Sequence, residues 1–399
     1  MKVLVINAGS SSLKYQVMDM DENKVLTKGL CERIGIDGRH TNKTNGGKFV
    51  EEVTMKNHSD ALKVVIRCIE SEVVPTISSL SEIGAVGHRV LHAGEMYNDS
   101  IVINEENMVE LEKLIPLGPL HQPANIAGVK ACQELLPGVP QVAVFDTTFH
   151  STMPAYAYRY AIPKEAYTKW GIRKYGFHGT SHKYIAGELA KLEGKEGKFI
   201  ICHIGNGASL SAVNNGKCID TTMGYTPLEG VMMGSRSGDV DPSICERIMK
   251  ETGMTISETI NYLNKKSGLI GVSGISEDMR DVEEVAYGED SEKKADALLA
   301  LQMHAYKVKK YIGSYFAALN GVDAIAFTAG VGENGAEYRE MVLSNLEGLG
   351  IVLDNDKNLT NFKRGEVNVI SADNSKVKIY VIPTDEEFMI AKDTERLVK

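Results

Sequence analysis

The chain has 399 residues, 43% apolar and 24% charged, enough for about two domains with a sizeable core and ordinary for a water-soluble globular protein. Its 44 Lys and Arg against 53 Asp and Glu leave a net charge of -9, which speaks against non-specific binding to nucleic acid or to an anionic membrane surface. No apolar run approaches the ~20 residues of a membrane span. The start shows no secretory leader, and the six cysteines include no C-x-x-C pair, so the expected setting is cytoplasmic, without a zinc ribbon or a disulfide framework.

The apolar run Val3 to Ile6 predicts a buried strand, and the alternation from Leu13 to Met18 predicts its antiparallel return. Between them Asn7-Ala8-Gly9-Ser10-Ser11-Ser12 reads as a tight turn. Glycine lets a backbone approach a ligand, hydroxyl and N–H groups such as those of Ser10 and Ser12 suit phosphoryl oxygens, and Lys14 adds a positive charge. Hairpin turns usually take Asn-Gly or Asp-Gly instead. Lys24 to Cys31 supplies a third strand, and 33–58 reads as loops with short edge strands. Ser59 or Asp60 is expected to cap a helix carrying Leu62, Val65, Ile66, Ile69 and Val73, with Pro75 just past its end.

Ile83 to Val90 is the next strand, with Arg89 near its end and Leu91 to Glu95 following. Helices are expected over 105–115 and 123–136, separated by a stiff Pro-rich loop. Gln141 to Phe145 is a strand that ends in Asp146. The alternation means an α/β layer structure, and ligands of such sheets collect at the carboxyl ends of strands, where Asn7 to Ser12, Arg89 and Asp146 fall.

A second unit begins near Phe149. The stretches 156–160 and 171–182 read as irregular. Phe199 to Ile204 is a strand followed by Gly205-Asn206-Gly207-Ala208-Ser209, which repeats the opening strand, turn and returning strand with a one-residue gap. That repetition points to one fold used twice. Met233 to Pro242 is too Gly- and Asp-rich to be an element; 243–251, 257–265 and 276–287 read as helices. Ser291 to Leu319 is a long helix with an apolar face, a core element or a dimer interface. Val322 to Phe327 is a strand, then 328–335 a turn and a helix to Leu346; Val377 to Ile382 is the last strand, and Pro383-Thr384-Asp385-Glu386-Glu387 opens a terminal helix.

Gly330-x-Gly332-x-x-Gly335, with Asp354 downstream, matches the dinucleotide fingerprint and leaves a nicotinamide-dependent enzyme as the alternative. The motif sits late in the chain, however, and it leaves the opening turn and the Gly205 to Ser209 turn without a role. No Walker-type or protein-kinase motif is present. Arg89 and Arg236 lie beside glycines in loops, where arginine holds oxyanions bidentately. His178, in Phe177-His178-Gly179-Thr180-Ser181-His182, is placed to stabilise charge on a transferred group, although a lone histidine is more often a structural hydrogen-bonder.

Taken together, Asn7 to Lys14 and Gly176 to His182 resemble the two signatures of the acetate kinase family. His88-Arg89-Val90, Asp146 to His150, His203 to Gly207, Gly234 to Asp239 and Pro383 to Glu387 match in the same order. The resemblance spans essentially the whole chain. It implies an α/β fold of duplicated ribonuclease-H-like (actin-like ATPase) domains around a central cleft. One domain would be 1–147 with 384–399 packing back on it; the other would be 148–383, carrying nucleotide binding and the homodimer contact.

It also implies reversible transfer of a phosphoryl group from ATP to acetate, giving acetyl phosphate and ADP, with Mg²⁺ as the metal and Mn²⁺ as a substitute. Asp146, Arg89, His178 and Arg236 would be catalytic, and Asn7 and Glu386 would support the metal. Ser10 and Ser12 would belong to the phosphate loop. Lys14, His203, Ile204, Gly205, Asn206, Gly207, Asp278, Met279, Arg280, Gly330, Val331, Gly332, Glu333 and Asn334 would contact ATP. Arg89, Leu91, Leu120, Phe177 and Pro227 would bind the acid. Leu91 stands where the family pattern has valine and predicts a narrowed acyl pocket. Acetate is already ionised at pH 7, so Asp146 is expected to position other groups rather than to take a proton.

Overall fold

The computed structural model describes residues 1–44, 46–71, 76–289 and 292–399. Contacts divide the chain into two compact units, Met1–Ser151 with Asp385–Lys399, and Thr152–Thr384.

The first unit carries eight strands: β1 (Lys2–Ala8), β2 (Ser12–Asp19), β3 (Lys24–Glu32), β4 (Arg39–Thr44), β5 (Gly47–Glu52), β6 (Ile83–Val90), β7 (Ile101–Val102) and β8 (Gln141–Phe145). Their order is β5-β4-β3-β2-β1-β6-β8-β7. β1, β6 and β8 run parallel, and β2 to β5 are antiparallel additions. Both faces of β1 are covered, which is why its sequence is a continuous apolar run. Leu4, Ile6 and Ala8 pack with Leu62, Val65 and Cys132 of the helices His58–Ile69 and Gln122–Leu135. Val3 and Val5 pack with Ile390 and Ala391 of the terminal helix Glu386–Val398.

The second unit carries β9 (Lys198–Ile204), β10 (Ala208–Asn214), β11 (Lys217–Thr221), β12 (Ala324–Thr328), β13 (Asn368–Val369) and β14 (Lys378–Val381), in the order β11-β10-β9-β12-β14-β13. Strand for strand this repeats β3-β2-β1-β6-β8-β7. Two antiparallel pairings are followed by two parallel ones and a two-residue antiparallel edge. The one-residue gap in the sequence repeat is a loop difference. The last pair of the first hairpin is Ala8↔Leu13, with four residues between, and that of the second is Ile204↔Ala208, with three.

Several local expectations are corrected. The helix cap is Asn57, not Ser59 or Asp60: its extended backbone lets the side chain accept from Asp60 N–H at 3.0 Å. That helix ends at Ile69, where Glu70 N–H bonds back to Ile66. Val73, Pro75 and Ser291 lie outside the described residues. The stretch expected to be irregular through His182 is helical from Gly179 to Glu193, because Ile185, Ala186 and Leu189 form a buried stripe ahead of the left-handed Gly194. Helices Lys164–Trp170 and Gly268–Ser273 were not legible from pattern. Gly330 to Asn334 is a helical turn, Ala329–Asn334, rather than an open loop. Among the described residues no helix is long and apolar enough to cross a membrane.

Candidate active site

In the first unit, neighbouring parallel strands place the key side chains at one edge of the sheet. Asn7 lies near the end of β1, paired with Lys14 of β2; Arg89 is near the end of β6; Asp146 follows β8. The Arg89 guanidinium is held on two sides. Its Nε donates to Asp146 Oδ1 at 3.1 Å and its Nη2 to Oδ2 at 2.6 Å, while Nη1 donates to Asn7 Oδ1 at 3.3 Å. Asp146 is 2% exposed. Its negative charge, outweighing burial, raises the Arg89 pKa above the ordinary arginine range. The visible work of Asp146 is therefore to orient Arg89 and keep it charged.

The turn itself is narrower than the sequence indicated, since Asn7 and Ala8 belong to β1 and Ser12 to β2. Gly9 N–H bonds to Ser12 C=O at 2.8 Å, and His58 Nε2 donates to Gly9 C=O at 2.7 Å. Leu91 is buried, whereas Leu120 is 72% exposed on its loop.

Glu386 opens the terminal helix, whose cap Asp385 accepts from Phe388 N–H at 2.8 Å. Burial, with Asp146 and Glu387 nearby, pushes its carboxyl up to about 7, against the pull of Arg89 and Lys14. A desolvated carboxylate in an acidic neighbourhood, with the amide oxygen of Asn7 close to Arg89, is a hard oxygen donor set. Among the described residues no group of three or more His, Cys, Asp or Glu forms a metal cage. One or two carboxylates fit a small divalent cation that takes its other ligands from phosphate and water.

In the second unit, His178 sits in the left-handed region at φ 58, which swings the chain into the helix Gly179–Glu193. Its Nδ1 shares a hydrogen bond with Ser209 Oγ at 2.9 Å, and His182 Nε2 reaches the same hydroxyl at 2.8 Å. The His178 ring stacks on His203 with centroids 4.2 Å apart. His203 Nδ1 is in turn fixed by Ser181 Oγ at 2.8 Å. These bonds leave the His178 Nε2 edge facing Gly207. A Cβ on Gly207 would lie 3.5 Å from His178 Nε2 and 3.5 Å from Arg236 Nη1. The Arg236 guanidinium and the His178 ring edge thus converge on the space at Gly207.

Arg236 Nη1 also donates to Pro227 C=O at 3.3 Å and to Met233 Sδ at 3.6 Å. Burial lowers its pKa from the usual value. Phe177 is buried beside His178.

Next to this point lies a cavity of about 600 Å³ lined by Gly205, Asn206, Asp278, Met279, Arg280, Gly330, Val331 and Asn334, with Glu283, Arg364 and others, a size suited to a nucleoside. Asp278 caps its helix and pairs with Arg280. Four of the expected nucleotide contacts are also tied into the protein itself. His203 and Ile204 are buried beneath the turn, and Gly332 C=O accepts from the buried Arg339 at 2.9 Å. Glu333 Oε1 accepts from Ala329 N–H at 2.8 Å and Thr384 N–H at 3.1 Å. Ala329 holds φ 64, a strained value for a residue with a Cβ, at the rim of this cavity. Sequence reasoning missed Ser209, His58 and Arg339. The i, i+4 spacing of His178 and His182 was the one available signal for the histidine–serine cluster.

A nucleoside-sized cavity, a glycine-lined space beside Arg236 and His178, and an oriented arginine on a two-domain actin-like ATPase fold fit a phosphotransferase. The profile of the Acetokinase family matches residues 2–392. The acetate kinase of Thermoanaerobacter pseudethanolicus is 55% identical over 404 residues, covering 100% of this chain and 99% of the relative. That of Clostridium beijerinckii is 52% identical with full coverage of both. The crystal structure of Porphyromonas gingivalis acetate kinase superposes with a TM-score of 0.95 at 44% identity over 100% of each chain. A propionate kinase from Francisella tularensis superposes at 0.91, with 40% identity and 99% coverage of each. The chain belongs to the acetokinase family, phosphotransferases with a carboxyl group as acceptor, and membership carries an ATP substrate and a kinase-type metal requirement. The nicotinamide alternative falls with this result.

Proposed function

We propose that this protein is an acetate kinase, transferring the γ-phosphoryl of ATP directly and in line to an oxygen of acetate, reversibly and with Mg²⁺, for which Mn²⁺ substitutes. The observation that carries the reading is the convergence of Arg236 Nη1 and His178 Nε2 on the space at Gly207.

Acetate arrives ionised, so its oxygen attacks phosphorus without a base. A P–O bond forms to acetate as the bond to the ADP oxygen breaks. Arg89 binds the acetate carboxylate, with Asp146 and Asn7 fixing its plane. Arg236 and His178 donate to the equatorial oxygens, where charge is held during transfer. Ser10, Ser12 and Lys14 serve the phosphate chain, and the cavity lined by Asp278 to Arg280 and Gly330 takes the nucleoside. Glu386 and Asn7 would hold the Mg²⁺, which when bound neutralises phosphate charge. Leu91 and Phe177, with Leu120 and Pro227, take the methyl group.

The protein works in the cytoplasm as a homodimer in this reading. The exposed Leu299, Met303 and Tyr306 on the helix Lys294–Ala318 supply an apolar face for a second copy. Sedimentation at micromolar concentration checks the dimer. Trapping acyl phosphate with hydroxylamine checks the reaction: Arg236→Ala should lose kcat by ~10²–10³ while ATP KM changes little. A change confined to ATP KM would remove Arg236 from the transition state.

A further inference from the structure

The helix Gln122–Leu135 begins with two amide side chains that do not cap it. Gln122 is fully buried and Asn125 is 5% exposed. Gln122 grips the His92 peptide unit on both polar groups: Oε1 accepts from His92 N–H at 3.2 Å and Nε2 donates to His92 C=O at 3.3 Å. Asn125 spans two strand ends. Its Oδ1 accepts from Leu91 N–H at 3.0 Å and its Nδ2 donates to Ala8 C=O at 2.7 Å. Ala93 N–H closes the same segment onto Thr147 Oγ1 at 3.1 Å, next to Asp146.

These bonds fall where the ladder between β1 and β6 ends. The last ladder pair between β1 and β6 is Ile6↔His88. Asn7, Ala8, Arg89 and Leu91 all lie beyond it, so direct β1–β6 pairing no longer ties them together, although Asn7 and Ala8 stay paired with β2 and Arg89 with β8. Asn125 supplies the missing rung with a side chain. The helix is pressed close enough to make that rung stiff, since a Cβ on Gly128 would meet the Ala8 Cβ at 3.0 Å.

We propose that Asn125, backed by Gln122, is the positioning residue that locks the acid-binding backbone at Leu91 and His92 to the phosphate turn after Ala8, and so sets how the acid is presented to Arg89. The inference rests on the acetate kinase reading. It predicts a larger effect on the acid than on ATP, because the peptides at Leu91 and His92 are both held by these amides, whereas the nucleoside cavity lies in the second unit and only the phosphate turn is shared.

The test uses the full chain with Asn125→Asp and Gln122→Met, varying acetate, propionate and ATP separately, with melting temperature recorded. Asn125→Asp keeps the acceptor for Leu91 N–H and sets a carboxylate oxygen against Ala8 C=O. It should lower kcat/KM for acetate about tenfold or more, the scale of one lost buried hydrogen bond. ATP KM should move less than about twofold, and the propionate-to-acetate ratio should shift. Gln122→Met should show the same split more weakly, and carries the test if Asn125→Asp fails to fold. Gln133→Leu, exposed on the same helix, should leave all parameters unchanged. Unchanged acetate kcat/KM in the folded variants, or acetate and ATP parameters falling together with the folded fraction, overturns the proposal. An unmodified enzyme inactive on every acid overturns the functional reading, and the inference with it.

Discussion

Asp146 and Gly207 show how single positions divide the chemistry. Asp146 spends both oxygens on Arg89, so Asp146→Asn should loosen the arginine rather than remove a base. Asparagine keeps one acceptor and loses the charge. The expected result is a raised acetate KM, kcat lower by ~10²–10³ and a stability loss of about 2 kcal/mol, with ATP KM nearly constant. Steady-state kinetics with each substrate varied, and a urea melt, check this; a large rise in ATP KM with acetate KM unchanged would contradict it. Gly207 has no positive φ, so alanine is tolerated by the backbone, and its Cβ meets the two donors at ordinary contact distance. Gly207→Ala should therefore fold with an unchanged melting temperature while kcat falls by more than about tenfold. Full activity in Gly207→Ala would mean the space it keeps open is not where phosphate sits.

Elements set these residues, and two of them carry predictions. The cavity-lining turn Ala329–Asn334 is anchored from behind by Arg339, wholly buried, whose Nε donates to Asn358 Oδ1 at 2.8 Å and whose guanidinium stacks on Phe362 at 4.8 Å. Burial, only partly offset by the nearby Glu337, pulls its pKa down to about 10. Arg339→Met should leave Gly332 C=O and Asn358 unsatisfied, costing about 1–3 kcal/mol and raising ATP KM with acetate KM unaffected. Isothermal titration with ADP reads this directly.

The long helix Lys294–Ala318 packs His304 against Tyr338, Nδ1 to OH at 2.8 Å. Burial lowers the His304 pKa from 6.5 to about 4. A histidine held neutral in the fold takes up its proton mainly when unfolded. Its stabilisation is complete above pH 6.5 and is lost as pH falls from 6.5 towards 4, by about 2 kcal/mol between pH 7 and pH 5. Urea midpoints at those two pH values should separate less in His304→Phe than in the unmodified chain; an equal separation would contradict the assignment.

For the whole molecule, the repeat is the organising fact. The sequence displayed it only at the two hairpins, Asn7 to Lys14 and Gly205 to Val213, because a Gly- and Ser-rich turn after a buried strand is a composition that little else produces. The remaining equivalence lies in strand order, which hydrophobic runs do not encode. Arg89 and Asp146 stood out because they fall at the carboxyl ends of neighbouring strands, where ligands collect, and Arg236 because it lies among glycines; the catalytic roles of these three and of His178 came from the family resemblance. Asn125, Ser209 and Arg339 did not stand out, since a buried amide, hydroxyl or arginine reads as surface until its partners are known. Leu120, expected with Leu91 around the methyl group, is 72% exposed on its loop, and that loop carries no periodic signal from which its exposure could be read. At this scale ligand linkage is the natural check: ADP at 100 times its Kd should stabilise the protein by about 2.7 kcal/mol, seen as a rise in melting temperature that the Arg339→Met variant needs more ADP to reach.

The most direct measurement is hydroxylamine trapping of acyl phosphate from purified protein, ATP and Mg²⁺ with acetate, propionate and butyrate in parallel. A strong signal with acetate that falls as the acid lengthens is the predicted result, with Leu91 narrowing the pocket. No acyl phosphate from any of the three acids would contradict the central claim that the arginine-bound carboxylate is the phosphoryl acceptor.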